Sequence, residues 1–330
     1  MRKSLYLLLM FLLLLSCSAC EVNESTAVAD DKNTLPVIAA SEAQALSSSI
    51  VEVEPASDSS DIIKVEPASD SSDIVEAEPA PETIEKKENL SEESRDWYFL
   101  RNKTHQLTEV NNEIKEILEG NQAFYVLPNE EKRIYLTFDE GYELGYTGEI
   151  LDTLRDNNVK AAFFITGHYI KSQPELLKRM HSEGHLIANH TWNHPDLSQC
   201  NSEDLKEEIL SVAEEYEKLT GAEMAPYIRP PMGKYSEKSL DLTRQVGYST
   251  VFWSMAFKDW DPDDQPGAEY SYQHVIDNIH PGAVILLHAV SQSNTEALDR
   301  IIKTLKDDGY VFSTFPLPHS QATVTQTNAV

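Results

Sequence analysis

Of the 330 residues only three are cysteine, Cys17, Cys20 and Cys200, and the first two lie in the opening apolar segment. A single cysteine beyond that segment rules out an intramolecular disulfide framework, so stability must come from an ordinary hydrophobic core. Cys200, in DLSQCNSEDL, has no adjacent cationic residue to lower its pKa and reads as a structural or surface thiol. Basic residues are also scarce: 27 Lys and Arg stand against 55 Asp and Glu, a net charge of −28, with no lysine-rich or arginine-rich run. Nucleic acid is therefore excluded as a partner, because phosphate binding needs clustered cations. No apolar run is long. Leu5 to Leu15, behind Arg2 and Lys3, is short for a membrane span and has the length of a signal-peptide core.

That core leads into SCSAC. Small residues before a cysteine at this place resemble a bacterial lipoprotein signal, in which the cysteine is lipidated and becomes the mature N-terminus. Cys17 follows two leucines and Ser16, and Cys20 follows Ser18 and Ala19, so either can be the lipidated residue. Residues 1–20 are thus expected to be a signal peptide. The mature protein is expected to be extracytoplasmic and held to the membrane by a lipid.

Residues 21–95 lack aromatics and carry 19 acidic against 5 basic residues. Such a segment buries too little apolar area to offset chain entropy and is expected to be a disordered linker. The unit VEPASDSSDI occurs at 53–62 and again at 65–74. With no apolar face to stack, two copies make a spacer and not a solenoid.

Aromatics return at Trp97, Tyr98 and Phe99, and a working domain is expected over 96–316, with a disordered tail over 317–330. Strands are predicted at 133–138, 161–166, 185–189, 226–228, 249–254, 283–287 and 310–313. Helices are predicted at 109–119, 147–157, 173–183, 203–219, 236–246, 271–279 and 294–307. Ser202 is placed to cap the helix over 203–219, with Asp204 in its first turn and Gly221 beyond its end. Regular alternation of strand and helix implies parallel strands with right-handed crossovers, an α/β barrel in preference to an open sheet.

Barrels of this kind gather functional residues at the C-terminal ends of their strands. The stretch IYLTFDEG ends one strand on Asp139 and Glu140, either a plain polar turn or two carboxylates converging on one pocket, where like charges resist ionising together. At the end of another strand, HTWNH brings His190 and His194 four residues apart, on a loop because Pro195 follows. In RPPMG, two prolines stiffen the backbone after Arg229. KDW supplies Asp259 and Trp260, and AVILLH ends an apolar strand on His288. Two carboxylates, paired histidines, an arginine and a further histidine, all at strand ends, suit a metal hydrolase with separate ligand, base and acid.

TFDEG, HTWNH, RPPMG, KDW and LLH, in that order, resemble the five motifs of the polysaccharide deacetylases, the nodulation-factor deacetylase type of carbohydrate esterase family 4. The resemblance covers about residues 95–316. It implies a distorted, incomplete (β/α) barrel and metal-dependent removal of acetyl from N-acetylated sugars. Asp139 would be the general base, Arg229 its partner and His288 the acid. Glu140, His190 and His194 would hold a divalent metal ion, expected to be zinc. The Met232 backbone would face the oxyanion, and Trp260, Leu286 and Asp259 would line the substrate pocket.

FDEGYELGYT, GHLIANHTWNHPDL and TVFWSMAFKDW are most similar to the muramic-acid de-N-acetylases that make the δ-lactam of spore cortex. That subgroup implies a peptidoglycan substrate and a sporulating Gram-positive source; a monomer is expected. Two other readings remain open at this level, deacetylation of N-acetylglucosamine in wall or exopolysaccharide, and a catalytically silent glycan-binding lipoprotein. Two positions depart from the family pattern. Glu140 stands where the family has a second aspartate, and Ala256 replaces the first aspartate of DxxDW, which would leave His288 without its orienting partner.

Overall fold

The computed structural model describes residues 89–317, except 102 and 130. Cys17, Cys20, the tandem repeat and the tail from 318 lie outside the described residues. Residues 91–95, expected to belong to the linker, are part of the fold. The Ser91 carbonyl accepts from Lys238 N, Arg95 pairs with Glu113 at 2.7 Å, and a first short strand, β1 (Arg95–Asp96), already belongs to the fold.

Helix α1 (Asn112–Gly120) and strand β2 (Ala123–Phe124) lead into the longest strand, β3 (Arg133–Glu140). Strands and helices then alternate: α2 (Thr147–Asp156), β4 (Ala162–Ile165), α3 (Gly167–Ser172), α4 (Pro174–Ser182), β5 (Leu186–Asn189), α5 (Ser202–Thr220) and β6 (Tyr227–Ile228). The second half comprises β7 (Lys234–Tyr235), α6 (Glu237–Gln245), β8 (Ser249–Val251), α7 (Ala268–Asn278), β9 (Val284–His288), α8 (Gln292–Asp307) and β10 (Val311–Phe312). All pairings of the main sheet are parallel, in the order β10-β3-β4-β5-β6-β8-β2, with β9 also paired to β3. Bridges from Val126 to Ala283 and from Met255 to Ile285 bring the two ends of this order towards each other. The expected incomplete (β/α) barrel is thus present as a parallel sheet curled into a half-barrel.

The pleat sorts β3 into two faces, because successive side chains point to opposite sides. Ile134, Leu136 and Phe138 join the core under the helices, with Ile150, Leu154 and Leu298. Tyr135 faces the barrel interior with Phe164, Tyr227 and Val251. Full burial of one such side chain stabilises by about 1.5–3 kcal/mol. Helix starts are capped by side-chain oxygens, Thr166 for α3, Ser236 for α6 and Ser291 for α8. The cap of α5 is Asn201 and not Ser202: its side chain accepts from the backbone N–H of both Glu203 and Asp204, and Ser202 is the first helical residue. Gly221 ends that helix at φ 73°, the left-handed conformation that a Cβ disfavours.

Candidate active site

Register decides which residues meet. The β3–β9 pairing sets Asp139 opposite His288, and the β5–β6 pairing sets Asn189 opposite Ile228, so His190 and Arg229 follow side by side just beyond it. Asp139, His190 and His288 therefore reach the same end of the barrel, above the aromatic interior. They line a cavity of about 1100 Å³ together with His194, Met232, Trp260 and Leu286.

Arg229 is completely buried behind Asp139 and donates from Nη1 to its Oδ1 at 2.7 Å. The guanidinium lies 4.1 Å above the Phe164 ring, and Nε donates to the Val251 carbonyl. A charge withdrawn from water this far persists only when paired. Burial by itself raises the Asp139 pKa, but Arg229, His190 and His288 together outweigh it and hold the carboxyl below its ordinary value. Asp139 is thereby kept ionised, with Oδ2 turned towards His190 Nε2 at 3.6 Å.

His190 Nδ1 donates to the Arg229 carbonyl at 2.8 Å, which leaves Nε2 with its lone pair. Burial lowers its pKa to about 4, so this imidazole is neutral. His194, also depressed chiefly by burial, faces it with ring centroids 4.9 Å apart. As expected, the two sit on a loop. Thr191 and His194 hold φ of 68° and 59°, and Thr191 is β-branched, so this backbone is strained. Asn189 Oδ1 accepts from Thr191 N, and Thr191 Oγ1 accepts from His194 N, fixing the loop in that shape. Met232 has φ 59° in the turn after the two prolines. The following Gly233 leaves no room for a Cβ, which would lie 2.8 Å from the Trp253 ring and 3.0 Å from Trp97 Cβ.

Asp259 and Glu140 are not where the resemblance puts them. Asp259 is absent from the pocket wall. It is fully buried, accepting from His288 Nδ1 at 2.7 Å, from His288 N at 2.9 Å and from Asn294 Nδ2 at 2.5 Å. It supplies the orienting contact that Ala256 had seemed to remove. Burial depresses His288, but Asp259 and then Asp139 more than offset it, raising its pKa above the ordinary histidine value. Lys258 and Trp260, either side of Asp259, do line the cavity, and the Trp260 ring meets His288 edge-on at 5.7 Å.

Glu140 shares the face of Ile134, Leu136 and Phe138, pointing away from the cavity. It is fully buried, and neither carboxylate oxygen has a hydrogen-bond partner among the described residues. Burial first, then Glu143 and Asp139, raise its pKa well above the ordinary value.

Such a geometry places the protein among the acid–base hydrolases built on incomplete barrels, and comparison with known proteins narrows the class. The polysaccharide deacetylase family profile matches residues 126–251. The chain is 48% identical over 216 residues to an uncharacterized 30.6 kDa protein of Geobacillus stearothermophilus, covering 66% of this chain and 82% of that one. It is 47% identical over 225 residues to the peptidoglycan-N-acetylmuramic acid deacetylase PdaA of Bacillus subtilis, covering 68% and 86% respectively. The solved structure of Bacillus subtilis PdaA, a family 4 carbohydrate esterase, matches with a TM-score of 0.67 at 46% identity, covering 68% of this chain and 96% of that one. The chain belongs to the polysaccharide deacetylases.

Deacetylases of this family are metal-dependent. Two neutral imidazoles are suitable donors for a divalent cation, and the contact of His190 Nδ1 with a backbone carbonyl orients its free nitrogen as metal ligands require. The third expected ligand does not fit: Glu140 lies on the opposite face of β3. Among the described residues no group of three or more His, Cys, Asp or Glu side chains is arranged to hold a metal ion.

Proposed function

We propose that this protein hydrolyses the N-acetyl group of peptidoglycan muramic acid, in the formation of cortex δ-lactam. The observation that carries the reading is the pairing of two oppositely tuned groups across one cavity: Asp139, held at 2.7 Å by buried Arg229 with its pKa lowered, and His288, held through Nδ1 at 2.7 Å by buried Asp259 with its pKa raised. The name of the 47% identical relative supports the muramic substrate.

Asp139 Oδ2 takes the proton of the attacking water, since Oδ1 is held by Arg229. Water oxygen bonds to the acetyl carbon, and the oxyanion is met by the Met232 backbone N–H. His288, held through Nδ1 by Asp259, gives its Nε2 proton to the sugar nitrogen as the C–N bond breaks, releasing acetate and the free amine. His190 and His194 would hold a divalent ion, zinc by their donor chemistry, which when bound polarises the carbonyl and acidifies water. Trp260 and Leu286 wall the acetyl methyl.

The proposal extends to the whole chain: a signal over 1–20, lipidation at Cys17 or Cys20, a linker that lets a monomeric domain reach the wall outside the cell, and a deacetylase domain from about 91 to 316. Acetate release from defined glycan strands, by the purified protein with added metals or chelator, tests it. Release from muramic acid, lost with chelator, is the expected result. Release only from glucosamine, or from no strand with any metal, overturns it.

A further inference from the structure

The cavity runs against the charge of the protein. In a chain of net charge −28, its charged lining residues are Arg101, Lys171, Lys258 and Asp139. Asp139 is neutralised by Arg229, so the balance facing a substrate is positive. The three cations are not equivalent. Lys258 is already paired with Asp261 at 3.0 Å and Asp264 at 2.7 Å. Arg101 donates to the Ala256 carbonyl at 2.9 Å. Lys171 has no carboxylate partner among the described residues and stands with Nζ 4.4 Å from the Trp192 ring centroid.

That contact is built into the fold. Gly167 and Lys171 are four apart on α3 and share a helix face. Trp192 lies directly against Gly167, where a Cβ would come 2.4 Å from the indole ring, and its backbone N–H donates to the Glu208 carbonyl at 3.0 Å. The indole in turn carries the Lys171 ammonium on its face. A cation on an aromatic face is held in place yet keeps donors free for an anion. Two further cations of the domain are engaged elsewhere: Arg155 pairs with Asp152 and Asp156, Lys234 pairs with Asp96, and neither lines the cavity.

We infer that Lys171, positioned by Trp192 over Gly167, is the specificity-determining residue that receives a carboxylate carried by the substrate sugar. This rests on the proposed muramic-acid reading. The carboxylate is then the free lactyl group of muramic acid, and a sugar whose lactyl group is blocked, or a glucosamine that has none, loses the contact.

The test compares two glycan strands, one with free lactyl carboxylates and one with the same groups as neutral methyl esters. The wild-type protein is expected to favour the acid strand at least roughly tenfold in kcat/KM, the worth of a hydrogen bond to a charged group. Lys171→Gln should erase that preference through KM, leaving kcat and the ester rate nearly unchanged, and Lys171→Arg should retain much of it. The inference is overturned if the wild type shows no preference, if Lys171→Gln keeps the preference, or if it slows both strands equally. Wild-type turnover of glucosamine strands alone would instead overturn the muramic-acid reading, and this inference with it.

Discussion

Asp139 and Glu140 are separated by one peptide bond and live in opposite environments. The barrel-facing side of β3 offers Asp139 a guanidinium and two imidazoles, which hold the carboxylate ionised. The helix-facing side offers Glu140 apolar packing and the nearby charge of Glu143, which raise its pKa well above the ordinary carboxylate value. The lesson is that adjacency along a strand is not proximity within a site. What acts on a carboxylate is decided by the parity of its position, since the pleat sends neighbours to different faces.

Neutralising each neighbour in turn should break the comparison most sharply. Asp139→Asn is expected to lower kcat by roughly 10²–10⁴-fold, the usual worth of a general base. It should also destabilise the fold by about 3–5 kcal/mol, because Arg229 is left buried and uncompensated. Steady-state rates and denaturant melts check both parts.

Asp259→Asn should cost less, about 10- to 100-fold in kcat, by weakening one charge-assisted hydrogen bond to His288. It should also move the alkaline limb of the rate profile to lower pH. A limb that stays where it is in the variant would mean that Asp259 does not set the protonation of His288.

In the wild type, turnover requires Asp139 ionised and His288 protonated. The acid limb should fall below the ordinary aspartate value of about 3.9, and the alkaline limb above the ordinary histidine value of about 6.5. The same shifts act on stability. The Asp139 contribution is present above its unfolded value and lost as pH falls through the lowered folded value. That of His288 is present below its unfolded value and lost as pH rises through the raised folded value. A rate profile from pH 3 to 10 tests the pair.

Glu140→Gln should be the mildest change, within about twofold of wild-type turnover, since it touches no reacting group. The folded-state pKa of Glu140 lies above its unfolded value, so the wild-type carboxyl opposes folding increasingly as pH rises past the unfolded value. The variant should therefore be more stable than wild type at pH 8 and equal to it at pH 4, as thermal melts would read. Loss of metal binding in this variant would show that Glu140 reaches the ion after all.

The sequence made the long elements and five of the strand-end motifs readable, because period and order survive without coordinates. The two-residue strands β1, β2 and β7 and the short helix α3 were not foreseen: none is long enough to show a period. The role of Asp259 was hidden for a related reason. KDW reads as one motif, but in the loop over residues 252–267 Lys258 and Trp260 face the cavity while Asp259 turns inward to His288 and Asn294. Distance in sequence concealed that pairing, whereas the resemblance that set Glu140 beside His190 and His194 carries no information on which face of β3 its side chain takes. Trp192 lies between the two site histidines yet carried no signal of its own, and its contacts with Gly167 and Lys171 became visible only when α3 was placed beside it.

The first described residues meet the domain through the segment that follows Met232. Ser91 bonds to Lys238, Arg95 and Asp96 pair with Tyr235 and Lys234, and Trp97 N donates to the Gly233 carbonyl at 2.8 Å. Tension applied at residues 91–97 is therefore shared among residues 233–238, Glu113 of α1 and Ser198 before it reaches the barrel strands. The turn carrying the Met232 N–H thus neighbours the place where such a pull is received, and Asp139, Arg229 and His288 stand on or just beyond other strands of the sheet.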